Sequence, residues 1–362
     1  MKKLLNIVGY LLIVLLVLFF IVGMILWLVS PGIPDKVWNT NGKQVKSAIS
    51  VIEKISINGT EQYLVIRGEN AEKPVLLFLH GGPGSPEFPL LKNQGLNLEK
   101  EFVVAYWQQR GAGKSYSDAI PAASMTIPQL VADGAAVATF LRTRFKQEKI
   151  HLIGHSWGSF LGTLLVHQHP SHFYSYIGVG QVAHQYEGEK LSFEWVKAQA
   201  KAANNQADLS SLEALTFPDS LDAPKIWSDF LAIEREMVNK YGGGLQREAV
   251  SMMEVYKTYI FDTPEYTIQD KLNLLKGMEF SIQHLWDDVL QTNFLTSIDS
   301  IAIPVHIIQG VHDYQTPYVP AKMFFDQLKA PEKYFYTFEN SAHSPFLDER
   351  EKFNAIITSL PK

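Results

Sequence analysis

The chain has 362 residues, 46% hydrophobic and 19% charged, enough to bury one large core and to carry an insertion within it. A formal net charge of −5 without any long basic run leaves no electrostatic footprint for nucleic acid. The lack of cysteine removes disulfides, thiolate catalysis and cysteine zinc sites together.

Lys2 and Lys3 precede an almost uninterrupted apolar run over residues 7–29. At about 1.5 Å per residue it spans roughly 34 Å, enough to cross the hydrocarbon core of a bilayer. A secretory signal peptide shares the basic start, but its apolar stretch is usually about 7 to 15 residues and closes in a small-x-small cleavage site. Here the run closes in Trp27, Leu28, Val29, Ser30 and Pro31. Residues 1–30 are therefore read as an uncleaved transmembrane signal anchor, with the bilayer as a partner. The positive-inside rule places the N-terminus in the cytoplasm and the rest of the chain outside, although Lys36, Lys43 and Lys46 reduce the asymmetry.

Residues 31–48, rich in Pro, Gly, Asn and Lys, read as a linker. Two alternating segments, 49–57 and 62–66, flank Asn58-Gly59, a pair favoured in tight hairpins. Short apolar runs of the kind buried on both faces follow at 75–79, 102–107, 150–153, 177–179, 305–308 and 334–338. Helix-like stretches at 127–145, 160–167, 319–328 and 346–359 alternate with them. This rhythm predicts an α/β fold with a mostly parallel sheet and helices on both faces. It breaks over 186–297, which is helix-like, aromatic-rich and without strand runs. That stretch is read as a helical cap dividing the core into 49–185 and 298–362.

The chemistry starts at Gly154-His155-Ser156-Trp157-Gly158, a G-x-S-x-G turn directly after a strand run. A serine hydroxyl needs a base, and that base an orienting acid. In hydrolases built on such a turn the chain order is Ser, then Asp or Glu, then His. Asp313 leaves the strand run 305–308 on the loop Gly310-Val311-His312-Asp313, and His343 is the one histidine downstream of it. Ser156 is thus the expected nucleophile, Asp313 the orienter and His343 the base. His155 and His312 flank these residues and are read as supporting them at most, since a neighbour on a sharp turn usually points elsewhere.

Acyl transfer also needs donors to a developing oxyanion. One is the backbone N–H of Trp157. The other belongs to Gly81 or Gly82 in the loop His80-Gly81-Gly82-Pro83-Gly84, with Gly82 preferred. Gly113-Lys114-Ser115 imitates the end of a phosphate loop, but the glycine required five residues earlier is Gln108. No metal motif such as H-E-x-x-H is present, and no cofactor is expected.

HGGPG at 80–84, QRGAGKS at 109–115, GHSWGS at 154–159, GVHD at 310–313 and SAH at 341–343 together resemble the proline iminopeptidase group of α/β-hydrolases, serine peptidases that remove N-terminal residues. The resemblance runs from about residue 49 to the C-terminus and is weak across the cap. It implies the same three catalytic residues, Gly82 and Trp157 as oxyanion donors, a cap shaping the pocket, and small peptides as substrates. The chain departs from the group at Gln108, commonly Asp, and at His155, commonly Gly. The group holds the substrate amine with acidic cap residues; Glu194, Glu234, Glu236, Glu248, Glu254 and Glu265 are available, and no motif selects among them. Two rival readings are hydrolysis of esters or lactones with an amphipathic character and a non-catalytic binding role for the scaffold. No oligomeric state is read from the sequence.

Overall fold

The computed structural model describes residues 2–38, 43–92, 94–218 and 224–361. Its centre is one sheet of eight strands: β1 (Ile49–Ile57), β2 (Thr60–Gly68), β3 (Val75–Leu79), β4 (Val103–Gln108), β5 (Ile150–His155), β6 (Phe173–Val179), β7 (Val305–Gly310) and β8 (Lys333–Phe338), in the order β1-β2-β4-β3-β5-β6-β7-β8. The β1–β2 and β2–β4 pairs are antiparallel and every later pair is parallel. Asn58 and Gly59 both take positive φ, 45° and 80°, which suits a two-residue hairpin whose twist matches that of its strands.

β3, β4, β5 and β7 are buried along their whole length, as strands covered on both faces must be. Leu77 and Leu79 pack with Trp107, Leu152 and Leu165 on one face; Leu76 and Phe78 pack with Ile153, Ile308 and Phe353 on the other. Helix Ile127–Phe145 is capped by Thr126, whose hydroxyl accepts from Gln129 N–H, and ends on Lys146 in the left-handed region. The expected helix 346–359 is split into Pro345–Asp348 and Arg350–Ser359. At the break, Glu349 accepts from Asn340 N–H and from the Ser341 hydroxyl.

Between β6 and β7 the described residues are helical, with Gln185–Ala202, Gln206–Glu213, Pro224–Lys240, Met252–Phe261 and Ile268–Gln291 as the main helices. An aromatic cluster of Tyr186, Phe193, Phe217, Trp227 and Phe230 knits this insertion together. Helix Ile268–Gln291 lies over the core: a Cβ on Gly84 would sit 2.7 Å from Gly277 O, so the two backbones touch. The N-terminal helix Lys2–Leu28 contains a 23-residue stretch, Asn6–Leu28, long and apolar enough to cross a membrane, and its most apolar window is not buried against the rest of the chain.

Candidate active site

Four loops leave the carboxyl ends of β3, β5, β7 and β8 on one edge of the sheet, where ligands bind in folds of this kind. Each carries one part of the expected site. Ser156 turns the chain from β5 into helix Trp157–Gln168 with φ 55° and ψ −124°, a conformation that costs a non-glycine residue about 1–3 kcal/mol. The turn is possible because its flanking residues lack a Cβ: one on Gly154 would overlap Gly158 O, and one on Gly158 would overlap Leu79 O. Ser156 N–H donates to Val179 O at 2.9 Å, fixing the elbow to β6.

His343 Nδ1 donates to Asp313 Oδ2 at 2.9 Å, which leaves Nε2 as the acceptor nitrogen. Burial pushes the Asp313 carboxyl up, but the adjacent imidazole and the Thr316 hydrogen bonds outweigh it and hold the group below its usual range. Asp313 also accepts from Gln309 Nε2 at 3.0 Å, from the N–H of Gln315 and Thr316 at 2.9 Å, and from Thr316 Oγ1 at 2.8 Å. The two loops meet closely because Gly310 has no Cβ to strike Ala342 O. Among the described residues no hydrogen bond joins the Ser156 hydroxyl to His343. Contact between their loops runs through His155, whose ring centroid is 4.6 Å from that of His343.

The two glycines left as alternatives in the loop after β3 differ in their hydrogen bonding. Gly81 N–H donates to Glu87 Oε2 at 3.2 Å, whereas the N–H groups of Gly82 and Trp157 have no acceptor among the described residues. Gly82 has φ 113°, a region closed to side chains. Trp157 N–H is free because it begins a helix. Burial lowers the His80 pKa to about 4, and the neutral ring staples the loop, donating from Nδ1 to Gly81 O at 2.8 Å and accepting Gln109 N–H at Nε2.

The contacts that hold these loops together carried no sequence signal. His155 supports the site from beneath: Nδ1 pairs with the Glu87 carboxylate and Nε2 donates to His343 O at 2.9 Å. Gln109 links the loop after β3 to the elbow, donating to His80 O at 3.2 Å and accepting Trp157 Nε1–H at 2.8 Å. Gln108 is held by the Tyr266 hydroxyl at 2.9 Å. From the insertion, the carbonyls of Gly243 and Gly244 accept Tyr314 N–H at 3.0 Å and His343 N–H at 3.1 Å. His312 is half-buried, its backbone N–H held by Ser341 O.

Of the six glutamates named from the sequence, Glu194, Glu236, Glu248 and Glu254 are exposed, and Glu265 is buried against Lys92 at 3.0 Å. Glu234 is buried beside Glu189, a residue that no sequence pattern marked. Arg235 bridges them, at 2.7 Å from Glu234 and 2.5 Å from Glu189, while Glu189 Oε2 has no partner among the described residues. Gln185 connects this pair to the Asp313 loop, donating to Glu189 Oε1 at 2.6 Å and to Gln315 O at 2.9 Å. Among the described residues no cluster of His, Asp and Glu is placed to hold a metal ion. A cavity of about 770 Å³ lies at the opposite end of the sheet, lined by His151, Tyr174, His306 and Tyr336, and reaches none of these groups.

Residues 74–350 match the α/β hydrolase fold family. The chain belongs to that family. It is 34% identical over 310 residues to the probable aminopeptidase YbaC of Bacillus subtilis (strain 168), covering 85% of this chain and 95% of that protein. It is 27% identical over 318 residues to a proline iminopeptidase of Lactobacillus acidophilus, covering 85% and 97%. A crystal structure of the Mycobacterium smegmatis proline iminopeptidase superposes with a TM-score of 0.59 at 19% identity, over 85% of this chain and 96% of that one, a likeness of fold. In this α/β-hydrolase the candidate nucleophile, base, acid and donors are carried on four loops of a single sheet edge.

Proposed function

We propose that the chain is a membrane-anchored serine aminopeptidase of the proline iminopeptidase type, releasing the N-terminal residue of small peptides through an acyl-enzyme. The observation that carries this reading is the Asp313–His343 hydrogen bond beside a serine in the strained elbow conformation. The names of the relatives in Bacillus and Lactobacillus supply the substrate class.

In this mechanism His343 Nε2 takes the Ser156 proton as Oγ attacks the scissile carbonyl, and the N–H groups of Gly82 and Trp157 receive the oxyanion. The imidazolium, held by Asp313, returns the proton to the leaving amine. A water activated by the same nitrogen then frees the acyl group. Insertion residues 186–297 act as the cap. Their buried Glu189 and Glu234 outnumber the single Arg235, and the open Oε2 of Glu189 receives the substrate ammonium. Helix Lys2–Leu28 spans the bilayer with the N-terminus in the cytoplasm, so the catalytic domain lies outside.

The test is a panel of aminoacyl arylamides and short acyl esters, with Ser156→Ala as control. Arylamide turnover that vanishes in the variant, together with its labelling by a serine-directed phosphonate, is expected. Undiminished labelling removes Ser156 from its role, and ester turnover without any arylamide turnover removes the peptidase assignment.

A further inference from the structure

Helix Ile268–Gln291 has two working faces. Gly277 and Ser281 pack on Gly84 and Gly111 of the core. At about 100° per residue, Ile268, Leu272 and Leu275 lie together on the opposite side, and these large apolar side chains are 37%, 58% and 52% exposed. Met253 and Phe261 of the neighbouring helix are also exposed.

Lys271, at the edge of that stripe, fastens the end of the N-terminal helix beside it. Its ammonium donates to Val29 O at 2.9 Å, Ser30 Oγ at 2.8 Å and Ile260 O at 2.6 Å. Pro31 forms a bridge with Thr267, and Gly32 N–H donates to Pro264 O at 2.9 Å. The apolar helix ends at Leu28, so only two residues separate it from this hub, a reach of at most about 7 Å. Trp27 and Ile33 are exposed on either side of the junction.

We propose that this face of the insertion rests on the bilayer that holds the anchor, with Ile268, Leu272, Leu275, Met253 and Phe261 entering the interfacial zone of the lipid. This posture of the catalytic domain presupposes the membrane anchor proposed for helix Lys2–Leu28. The tether selects the occupant: a helix of a protein partner is about 10 Å thick, more than the gap leaves. The residues that form the face are apolar, so the contact needs no anionic lipid. The helix touching lipid on one side roofs the candidate oxyanion loop on the other.

The absence of cysteine allows single-cysteine probes in the full-length chain, reconstituted in phosphatidylcholine vesicles carrying nitroxide-labelled lipid. An environment-sensitive fluorophore at L272C or L275C is expected to shift to the blue and to lose at least about half its emission to a nitroxide near the headgroup. The same probe at Tyr174→Cys, at the far end of the sheet, is expected to do neither. A probe at Phe19→Cys reports the anchor through a nitroxide deep in the acyl chains. Quenching at 19 with water-exposed probes at 272 and 275 overturns the posture alone. A blue shift at 272 and 275 without lipid quenching means a second copy or another protein covers the face, and overturns it too. No quenching at 19 removes the anchor, and the posture with it.

Discussion

His155 and His343 are joined edge to backbone and ring to ring: Nε2 of the first donates to the carbonyl of the second at 2.9 Å, and the ring centroids lie 4.6 Å apart. Since Nδ1 of His155 meets the Glu87 carboxylate and Nε2 meets a carbonyl, both nitrogens donate, which only the imidazolium can do. Burial works against that charge, but Glu87 outweighs it and raises the pKa of His155. Glu87 also holds Gly81 N–H, so a single ion pair ties the loop after β3, the elbow and the histidine loop together.

Removing one partner of this buried pair is expected to cost about 3–5 kcal/mol, because the other charge is left without compensation. His155→Ala should therefore show a large loss in urea unfolding, and Glu87→Gln in the same background should recover part of it. The raised pKa means the pair's contribution is complete below the ordinary histidine pKa and fades as pH rises through the folded value. The gap between wild type and His155→Ala should accordingly narrow in alkali; a gap that widens there contradicts the ion pair.

The strap formed by Gly243 and Gly244 gives a second prediction. A Cβ on Gly243 would lie 2.7 Å from the Trp195 ring, which is stacked on Tyr314 at 3.9 Å and cannot withdraw easily. Gly243→Ala should destabilise the protein by about 1–3 kcal/mol through overpacking. It should also lower kcat about 10-fold or more, because the Gly243 and Gly244 carbonyls hold the backbones of Tyr314 and His343 in place. Unchanged kcat in a folded variant would show that the strap does not position these loops.

The parts of the candidate site that are legible in the amino-acid sequence are those attached to strand ends. Ser156, Asp313 and His343 each follow a strand run, buried in β5 and β7 and half-exposed in the edge strand β8, where the expectation of burial on both faces fails, and the parallel sheet carries all three runs to one edge. The Asn58-Gly59 hairpin is readable for the same reason, being local. What the sequence hides is contact between distant loops. Nothing near His155 announces Glu87, 68 residues away in the chain. Glu189 and Glu194 look alike in sequence, yet one is buried against Arg235 and the other is solvated beside Lys197, a difference made by the packing of neighbouring helices. Glu349 breaks an otherwise regular helix by serving the loop before it.

A third prediction concerns acid. Burial lowers the pKa values of His80, His151 and His306 to about 4 each. Between about pH 6.5 and 4 the unfolded chain binds these protons while the folded chain does not, so stability is full above the unfolded pKa and falls with pH. Three such groups give a slope approaching about 4 kcal/mol per pH unit in mid-range. Urea midpoints at pH 7, 6 and 5 should fall steeply, and His151→Gln or His306→Gln should flatten the curve by about a third each. A flat profile would mean that these rings are accessible to water.

The last prediction separates amine recognition from acyl chemistry. Glu189→Gln keeps an oxygen for the hydrogen bonds from Gln185 and Arg235 while replacing the partnerless acceptor Oε2 of the carboxylate. A hydrogen bond to a charged group contributes about 1.5–3 kcal/mol, so the KM for aminoacyl arylamides should rise about 10- to 100-fold. Acyl esters lacking the amine should be turned over as by the wild type, because the candidate nucleophile, base and oxyanion donors are untouched. The ratio of the two kcat/KM values is the measurement, since it cancels any general loosening of the insertion. If both substrates lose equally, Glu189 is a structural partner of Arg235 and the amine is held elsewhere; if the arylamide alone suffers, the carboxylate excess in the insertion is the group that selects peptides with a free N-terminus.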